Sequence, residues 1–452
     1  MIRFINHKEA PILFLGDLIV FFLSLTLTLF IRYGQSFDFA IFLNYLYPFS
    51  ILWLLWVLIF FVAGLYEKQT IFLRNRLPSL ILNTLIFNTF FSTLFFYTIP
   101  NFGITPKFTL FINLVITASL ILLWRLYLYT RLRSRRRQKA LLIGSGEECE
   151  ELKKEVNAND RYGFYFVSAF DLESDKSVDF QSEVIEWIRA KGISLIAVDF
   201  QSEKISPFLP HLYNLIFSNI RFVNTNRIYE DVFDRIPLSL IRYSWFLENI
   251  SAQHRFTYDV LKRMMDIGVG SVLFLLSLAV YPFVSLAIKI DDGGPVFISQ
   301  ERVGRGGRLF KIYKFRSMSR NDNGFYNTEA AADNEVTRVG SFLRKTRLDE
   351  LPQLLNVLQG QLSLIGPRPE LPALVKEYET KIPYYNIRHL IKPGLSGWAQ
   401  IYHDNHPHHA EAVRATKEKL SYDLYYIKNR SFWLDLKIAL QTIRILLSRK
   451  GV

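Results

Sequence analysis

Over its first 130 residues the chain alternates long apolar runs with short polar breaks. Four runs, 11–31, 40–63, 80–99 and 108–130, each hold about the 20 residues needed to cross a hydrocarbon core of ~30 Å. The pattern predicts a four-helix transmembrane bundle over 1–138. The first run starts too far in, and runs on too long, for a cleaved leader. It also lacks a small-residue cleavage site, so it is expected to be retained. Asp17 lies inside that run, about one turn from its start. An intramembrane carboxylate is a functional candidate by default, but at this depth it can snorkel or cap a neighbouring helix, so a structural role is expected.

From Lys139 the pattern shortens to that of a soluble α/β domain. KALLIG reads as a buried strand, followed by Gly144-Ser145-Gly146 and a helical EECEELKKEV. FYFVSAFD, a polar helix, GISLIAVDF and HLYNLIFSNIRFVN continue the alternation, which predicts a Rossmann-like parallel sheet over 139–254. Gly144 and Gly146 supply two glycines of a dinucleotide fingerprint, but Cys149 stands at the third position. No cofactor is therefore assigned here, and a structural or regulatory domain is expected.

A fifth apolar run, 267–288, is uncharged throughout and long enough to span. Lys262 and Arg263 precede it, Lys289 follows it, and Pro282 breaks its second half. Proline removes a backbone donor and clashes with the preceding turn. Hydropathy leaves a kinked span and a re-entrant helix both open. The chemistry that follows favours a re-entrant helix over about 262–290.

Charge orients these elements. Lys and Arg total 54 against 41 Asp and Glu, a formal +13, which suits an anionic partner. Arg3, His7, Lys8, Lys68, Arg74, Arg76 and the RLRSRRRQK stretch at 131–139 crowd one side of the bundle, against Arg32 and Lys107 on the other. The positive-inside rule then places both ends of the bundle in the cytoplasm. Directly after a membrane helix, RLRSRRRQK reads as a headgroup anchor, and no nucleic-acid partner is expected. A single cysteine excludes an intrachain disulfide framework and a Cys-based metal site.

After the fifth run, GGPVFISQERVGRGGRLFKIYKFRSM reads as two extended stretches around an RGG turn. It places Arg302, Arg305, Arg308, Lys311, Lys314 and Arg316 within fifteen residues, a cradle for phosphates or a basic surface on anionic lipid. Downstream, Asp349 and Glu350 are adjacent, behind Arg344, Lys345 and Arg347 and ahead of Gly366-Pro367-Arg368-Pro369. Asp349 suits a helix N-cap with Pro352 in the first turn. A cap needs one acid. A pair can divide two jobs, one attacking phosphorus and the other holding Mg²⁺.

The stretch from about Phe256 to Val452 resembles the bacterial sugar transferase family, the monotopic polyprenol-phosphate phosphoglycosyl transferases. The matching blocks are YKFRSM at 313–318, TRLDELPQL at 346–354, LSLIGPRPE at 362–370, KPGLSGWAQ at 392–400 and YDLYYIKNRSFWLDL at 422–436. The whole arrangement resembles the larger members that start exopolysaccharide or O-antigen assembly. The resemblance implies a catalytic domain over 255–452 that transfers a sugar 1-phosphate from a UDP-sugar to undecaprenyl phosphate and releases UMP. It implies Asp349 as nucleophile, through a covalent phosphosugar intermediate, and Glu350 as the residue positioning Mg²⁺. Arg368 would contact phosphate, with Arg316, Arg302 and Lys314 as further candidates. Pro282 would be the break in the re-entrant helix, although Tyr281 stands where a Ser often precedes that proline. The setting implied is the inner membrane, with chemistry on its cytoplasmic face and a homodimer by analogy.

Two rivals stay open on the sequence. A membrane-anchored nucleotide-sugar epimerase or dehydratase needs an intact glycine fingerprint and a Tyr-x-x-x-Lys pair. A non-catalytic scaffold leaves the DELPQL and GPRPE blocks unexplained. His403, His406, His408 and His409 cluster without regular helical spacing and are expected to form a solvated loop.

Overall fold

A computed structural model describes residues 9–66, 77–98, 107–128, 137–159, 162–170, 188, 190–218, 220–250, 256–319, 335–402 and 412–447. The histidine cluster, most of the RLRSRRRQK stretch and the polar helix expected within 171–187 lie outside the described residues. Two compact units emerge, Met1–Ala140 with Lys154–Val167, and Leu141–Lys153 with Ser168–Val452.

In the first unit the apolar runs form α1 (Glu9–Tyr33), α2 (Phe39–Val62), α3 (Leu77–Thr98) and α4 (Lys107–Leu123). Each, α4 together with the turn that continues it to Leu128, is long and apolar enough to cross a membrane. Large apolar side chains such as Ile19, Phe30, Leu54, Ile86 and Phe111 point outward, as on helices that face lipid rather than water. The interior holds aromatic packing, with Phe21 edge-on to Trp56 at 5.2 Å between ring centres. It also holds polar side chains: Thr117 and Ser24 share a hydrogen bond of 2.8 Å, and Trp56 Nε1 donates to Ser92 at 2.9 Å. In hydrocarbon such groups must find one another, so they help fix which helix faces meet.

Asp17 neither snorkels nor caps a helix. Its carboxylate is fully buried against Arg125, which is 2% exposed and lies in a π turn, Trp124–Leu128, at the end of α4. Arg125 Nε donates to Asp17 Oδ1 at 3.2 Å, and Nη2 forms an ion pair with Oδ2. Tyr66 donates to Asp17 Oδ2 at 2.8 Å, and Arg125 Nη1 donates to the Leu65 carbonyl at 2.9 Å. Gly16 is required beside it, since a Cβ there would come within 2.0 Å of the Trp124 ring.

The middle of the chain forms a four-stranded sheet from β1 (Gln138–Ile143), β2 (Phe164–Phe170), β3 (Leu195–Val198) and β4 (Arg221–Asn224), in the order β2-β1-β3-β4. β3 and β4 run parallel, with Leu195 opposite Arg221. Every residue of β3 is buried, as in a strand covered on both faces. The Gly144–Gly146 turn opens a helix, α5 (Glu147–Ala158), whose first turn carries Glu147, Glu148 and Glu150. Glu148 accepts from the Ser239 backbone at 3.1 Å. The end of the helix that would face a pyrophosphate is lined with the chain's own carboxylates.

In the second unit, α6 (Thr225–Phe233) and the loop after it are strapped to the C-terminal part of the chain. Lys428 bridges to both oxygens of Glu230 at 2.8 and 2.7 Å, Trp398 Nε1 donates to the Asp234 carbonyl at 2.8 Å, and Arg235 pairs with Glu151 at 2.6 Å.

The fifth apolar run forms two helices, α7 (Phe256–Leu278) and α8 (Tyr281–Asp291), bent by 52° where Pro282 enters the first turn of α8. Next come the antiparallel hairpin β5 (Phe297–Val303) and β6 (Leu309–Phe315), then α9 (Arg338–Thr346) and α10 (Gln353–Gln359). β7 (Ser363–Ile365) pairs in parallel with β8 (Gly394–Ser396), and α11 (Ala412–Asn429) and α12 (Phe432–Leu447) close the fold. The GPRPE and KPGLSG blocks meet here: a Cβ on Gly394 would lie 2.1 Å from the Gly366 nitrogen, so the two backbones touch only because Gly394 lacks one.

Both arms of the bent pair are fastened within the same unit. In α7, Lys262 pairs with Asp435 at 2.9 Å, and Arg263 donates to the Val357 and Leu358 carbonyls at the end of α10, both at 2.8 Å. Asp266 accepts from Ser363 Oγ at 3.0 Å and Leu364 N at 2.9 Å. In α8, Val284 and Ile288 pack with Phe315 and Leu343, and Asp291 accepts from Val339 N at 2.9 Å. Between these fastenings Val272, Leu275, Leu276, Phe283 and Leu286 are exposed.

Candidate active site

Arg347 adopts a left-handed conformation, φ 54°, which ends α9. The chain then makes one 3-10 turn, Leu348–Glu350, and enters α10 with Pro352 at its N-cap. Asp349 therefore does not cap α10 as its sequence position suggested. The reversal at Arg347 leaves it a turn too early, and its carboxylate is held in the site instead. It is 8% exposed, and among the described residues no hydrogen bond or ion pair reaches its side chain.

Its neighbour is held differently. Glu350 Oε1 lies 2.6 Å from Arg368 Nη2 and 3.9 Å from Lys314 Nζ. Burial alone would raise the Glu350 pKa, but Arg368 and Lys314 outweigh it and hold the group at about 2. Asp349 goes the other way. Burial first, and then the charge of Glu350, push it up to about 6, with Lys314 and Arg368 offsetting part of the rise. Burial lowers the pKa of Lys314, against the pull of Glu350. The two carboxylates are thus one permanent anion and one that titrates near neutrality, an arrangement that recurs where adjacent acids divide chemical roles.

The loop carrying Arg368 is braced from behind. Its carbonyl accepts from Arg388 Nη2 at 3.0 Å, and Arg388 in turn pairs with Asp423 at 2.9 Å and with Glu370 at 3.7 Å. Lys419 forms an ion pair with Glu370, whose carbonyl accepts from Val303 N at 3.0 Å. Against the opposing pull of burial, Lys419 and Arg388 hold the Glu370 carboxyl well below the usual range. Of these braces Glu370 and Asp423 fall in blocks that stood out in the sequence. Arg388 and Lys419 carry no local signal, and all four come together only through the fold.

The candidates thus separate. Asp349, Glu350, Arg368 and Lys314 are gathered at one point. Arg302 stands beside them as a brace, donating to the Pro369 carbonyl at 3.3 Å and to Gln300 at 2.8 Å. Arg316 is committed elsewhere: it pairs with Asp292 at 3.0 Å, donates to the Met318 carbonyl at 2.9 Å, and packs so tightly on Gly294 that a Cβ there would collide with it. Pro282 sits at the bend between α7 and α8.

Among the described residues no group of three or more His, Cys, Asp or Glu is arranged as a metal cage. Two adjacent carboxylates fit Mg²⁺ nonetheless, because that ion commonly takes one or two protein carboxylates and completes its shell with substrate phosphate and water. Glu350 keeps Oε2 for such a role while Oε1 is held by Arg368.

A family model described as bacterial sugar transferase matches residues 257–449. A UDP-N-acetylgalactosamine-undecaprenyl-phosphate N-acetylgalactosaminephosphotransferase of Aeromonas hydrophila is 44% identical over 196 residues, 43% of this chain and 45% of that one. A UDP-glucose:undecaprenyl-phosphate glucose-1-phosphate transferase of Escherichia coli is 40% identical over 185 residues, 41% of this chain and 39% of the relative. One of the same description from Caulobacter vibrioides is 40% identical over 195 residues, 43% of this chain and 72% of the relative. The chain thus spans less than half the length of the first two relatives.

Proposed function

The chain belongs to the bacterial sugar transferase family, and on that premise we propose that it moves a sugar 1-phosphate from a UDP-sugar to undecaprenyl phosphate. The observation that carries this reading is the asymmetry of the acid pair: Asp349 buried with no hydrogen-bond or ion-pair partner among the described residues, beside Glu350 held ionised by Arg368. A carboxylate without such a partner is free to form a bond.

In the first step an Asp349 oxygen attacks the sugar-linked phosphorus of the donor. An O–P bond forms, the bond from that phosphorus to the bridging oxygen breaks, and UMP leaves with the electron pair. In the second step a phosphate oxygen of undecaprenyl phosphate attacks the same phosphorus, and the Asp349–phosphorus bond breaks, restoring the carboxylate. Arg368 and Lys314 lower the repulsion between an anionic nucleophile and an anionic diphosphate. Mg²⁺ held through Glu350 would add to this by neutralising the diphosphate and the leaving UMP. A covalent intermediate lets a soluble donor and a lipid acceptor use one small site in turn.

The acceptor's phosphate lies at the membrane face, and the bent pair supports a site there. A helix crossing the bilayer would carry its two ends ~30 Å apart along the membrane normal. Instead both ends of this pair are fastened within one unit, through Lys262 and Asp266 at one end and Asp291 at the other. The apolar part of α7, residues 267–278, is about 18 Å long at 1.5 Å per residue. A symmetric V with the observed bend of 52° dips about 8 Å, roughly half of one leaflet. In this reading the pair is re-entrant and shallow, and the positive-inside rule puts the site in the cytoplasm.

Nucleotide release tests the reaction. Purified protein with undecaprenyl phosphate, Mg²⁺ and a panel of UDP-sugars is expected to release UMP with one of them, which also names the donor. Release of UDP would mean the sugar moves without its phosphate and would overturn the proposal.

A further inference from the structure

The second unit holds another group of cations, away from Asp349 and Glu350. A cleft of about 470 Å³ is walled by the start of α7, the tip of the β5–β6 hairpin, the segment before β8 and the end of α11. Lys262, Arg263, Arg305, Lys392 and Arg430 line it. Only two acids share the lining, Asp259 and Asp266, and Asp266 is already bonded to Ser363 and Leu364. His389 adds no charge at neutral pH, because burial and the neighbouring Arg388 lower its pKa to about 4.

Lys262 and Arg263 are occupied with Asp435 and with the last carbonyls of α10. Arg305 and Lys392 are not so occupied: among the described residues neither side chain has a hydrogen bond or ion pair. Lys392 is half-buried, and burial together with the charge of Arg263 disfavours its protonated form. Cations gathered in a cleft with too few acids repel one another unless an anion joins them. The hairpin tip is shaped for close approach, since Gly306 has a φ of +67° and presents no side chain.

We propose that this cleft is a second anion site, taking the phosphate of a membrane-lipid headgroup with Arg305 and Lys392 as its principal contacts. The lipid source follows from depth and rests on the shallow re-entrant reading. Lys262 and Arg263 precede Ile267, where the uncharged run of α7 begins, by four to five residues, about 6–8 Å of helix rise. On an arm inclined about 26° to the membrane plane, half the 52° bend, that rise is about 3 Å of depth, within the ~5–8 Å headgroup layer beyond the hydrocarbon. The foot of the apolar arm and the cleft therefore share one level.

The test is binding of short-chain lipids to the full chain in detergent, read by native mass spectrometry with no sugar donor present. Dihexanoyl phosphatidylglycerol is expected to bind at least about tenfold more tightly than dihexanoyl phosphatidylcholine, and the Arg305→Ala/Lys392→Ala double variant to lose about that factor. Arg305→Glu, at the exposed hairpin tip, provides a second variant that does not burden the fold. Asp349→Asn should bind phosphatidylglycerol like the unaltered chain, so failure of the transfer proposal leaves this result standing. Inorganic diphosphate binding more tightly than phosphatidylglycerol, with the same loss in the double variant, would overturn the lipid assignment in favour of a soluble phosphate ligand. Equal binding of both lipids, or no effect of either variant, would overturn the site.

Discussion

Among the described residues, two buried clusters of charge contrast, one among the membrane helices and one around Asp349 in the C-terminal part of the chain. In the first, Asp17 faces Arg125, with Tyr66 and the Leu65 carbonyl taking up further bonds of the pair. One acid meets one base. In the second, Glu350 is treated the same way by Arg368 and Lys314, but Asp349 beside it has no hydrogen bond of its own among the described residues. Burial of an ionisable group is common to both clusters and does not mark function. Incomplete satisfaction of a buried carboxylate is what sets Asp349 apart, and in the proposed reaction it is this group that reacts.

Substitutions can break this comparison at either end. The largest effect is expected from Asp349→Asn, which should lower turnover by at least about a thousandfold, since an amide cannot form the proposed intermediate. UMP release at saturating donor measures it. Arg125→Met comes next. It leaves Asp17 buried without its counter-charge and should destabilise the bundle by about 3–5 kcal/mol, read from denaturant titration in detergent. In Glu350→Gln the loss should be smaller, about a hundredfold in turnover. It should also destabilise by about 1–3 kcal/mol at neutral pH, because Arg368 and Lys314 lose their shared anion. Folding holds the Glu350 pKa near 2, so its contribution is present above the ordinary value of 4.5 and fades as pH falls through that range.

The same asparagine that is expected to lower turnover should stabilise the fold. Folding raises the Asp349 pKa from 3.8 to about 6, so the folded chain holds this proton more tightly than the unfolded one. The cost of the charge is absent below about pH 4 and complete above about pH 6. Asp349→Asn should therefore gain about 1–3 kcal/mol at pH 8 and nothing at pH 4, measured by paired melts. The smallest effect is on the pH profile. Turnover should fall about tenfold per unit below an apparent pKa of about 6, as Asp349, the proposed nucleophile, takes up its proton. In the Arg316→Lys variant that limb should not move, because Arg316 is engaged with Asp292.

What was legible in the sequence follows the range of the interactions involved. Period and length give the four membrane helices to within a few residues, because each run is set by its own apolar residues. The β5–β6 hairpin was equally readable from its glycine turn. Asp349 was placed one turn wrong: a cap is the usual fate of Asp before Pro, and the reversal at Arg347 depends on how α9 packs, with Gly340 against the Ser317 backbone. Arg316 and Arg368 each stand in a matching block of the sequence and part only in the fold, where Asp292 takes one and Glu350 the other. The braces at Arg388 and Lys419 were invisible, and Asp423 stood in a quoted block with no sign of its partner, since ion pairs between distant residues leave no local pattern.

The most direct measurement of the central claim is covalent trapping. Protein incubated with a donor UDP-sugar carrying ³²P in its sugar-linked phosphate, without acceptor, should become labelled and release UMP in step with the label. Label should be absent from Asp349→Asn and should transfer to lipid when undecaprenyl phosphate is added. Labelling of Asp349→Asn equal to that of the unaltered chain, or full transfer to lipid by that variant, would contradict the account.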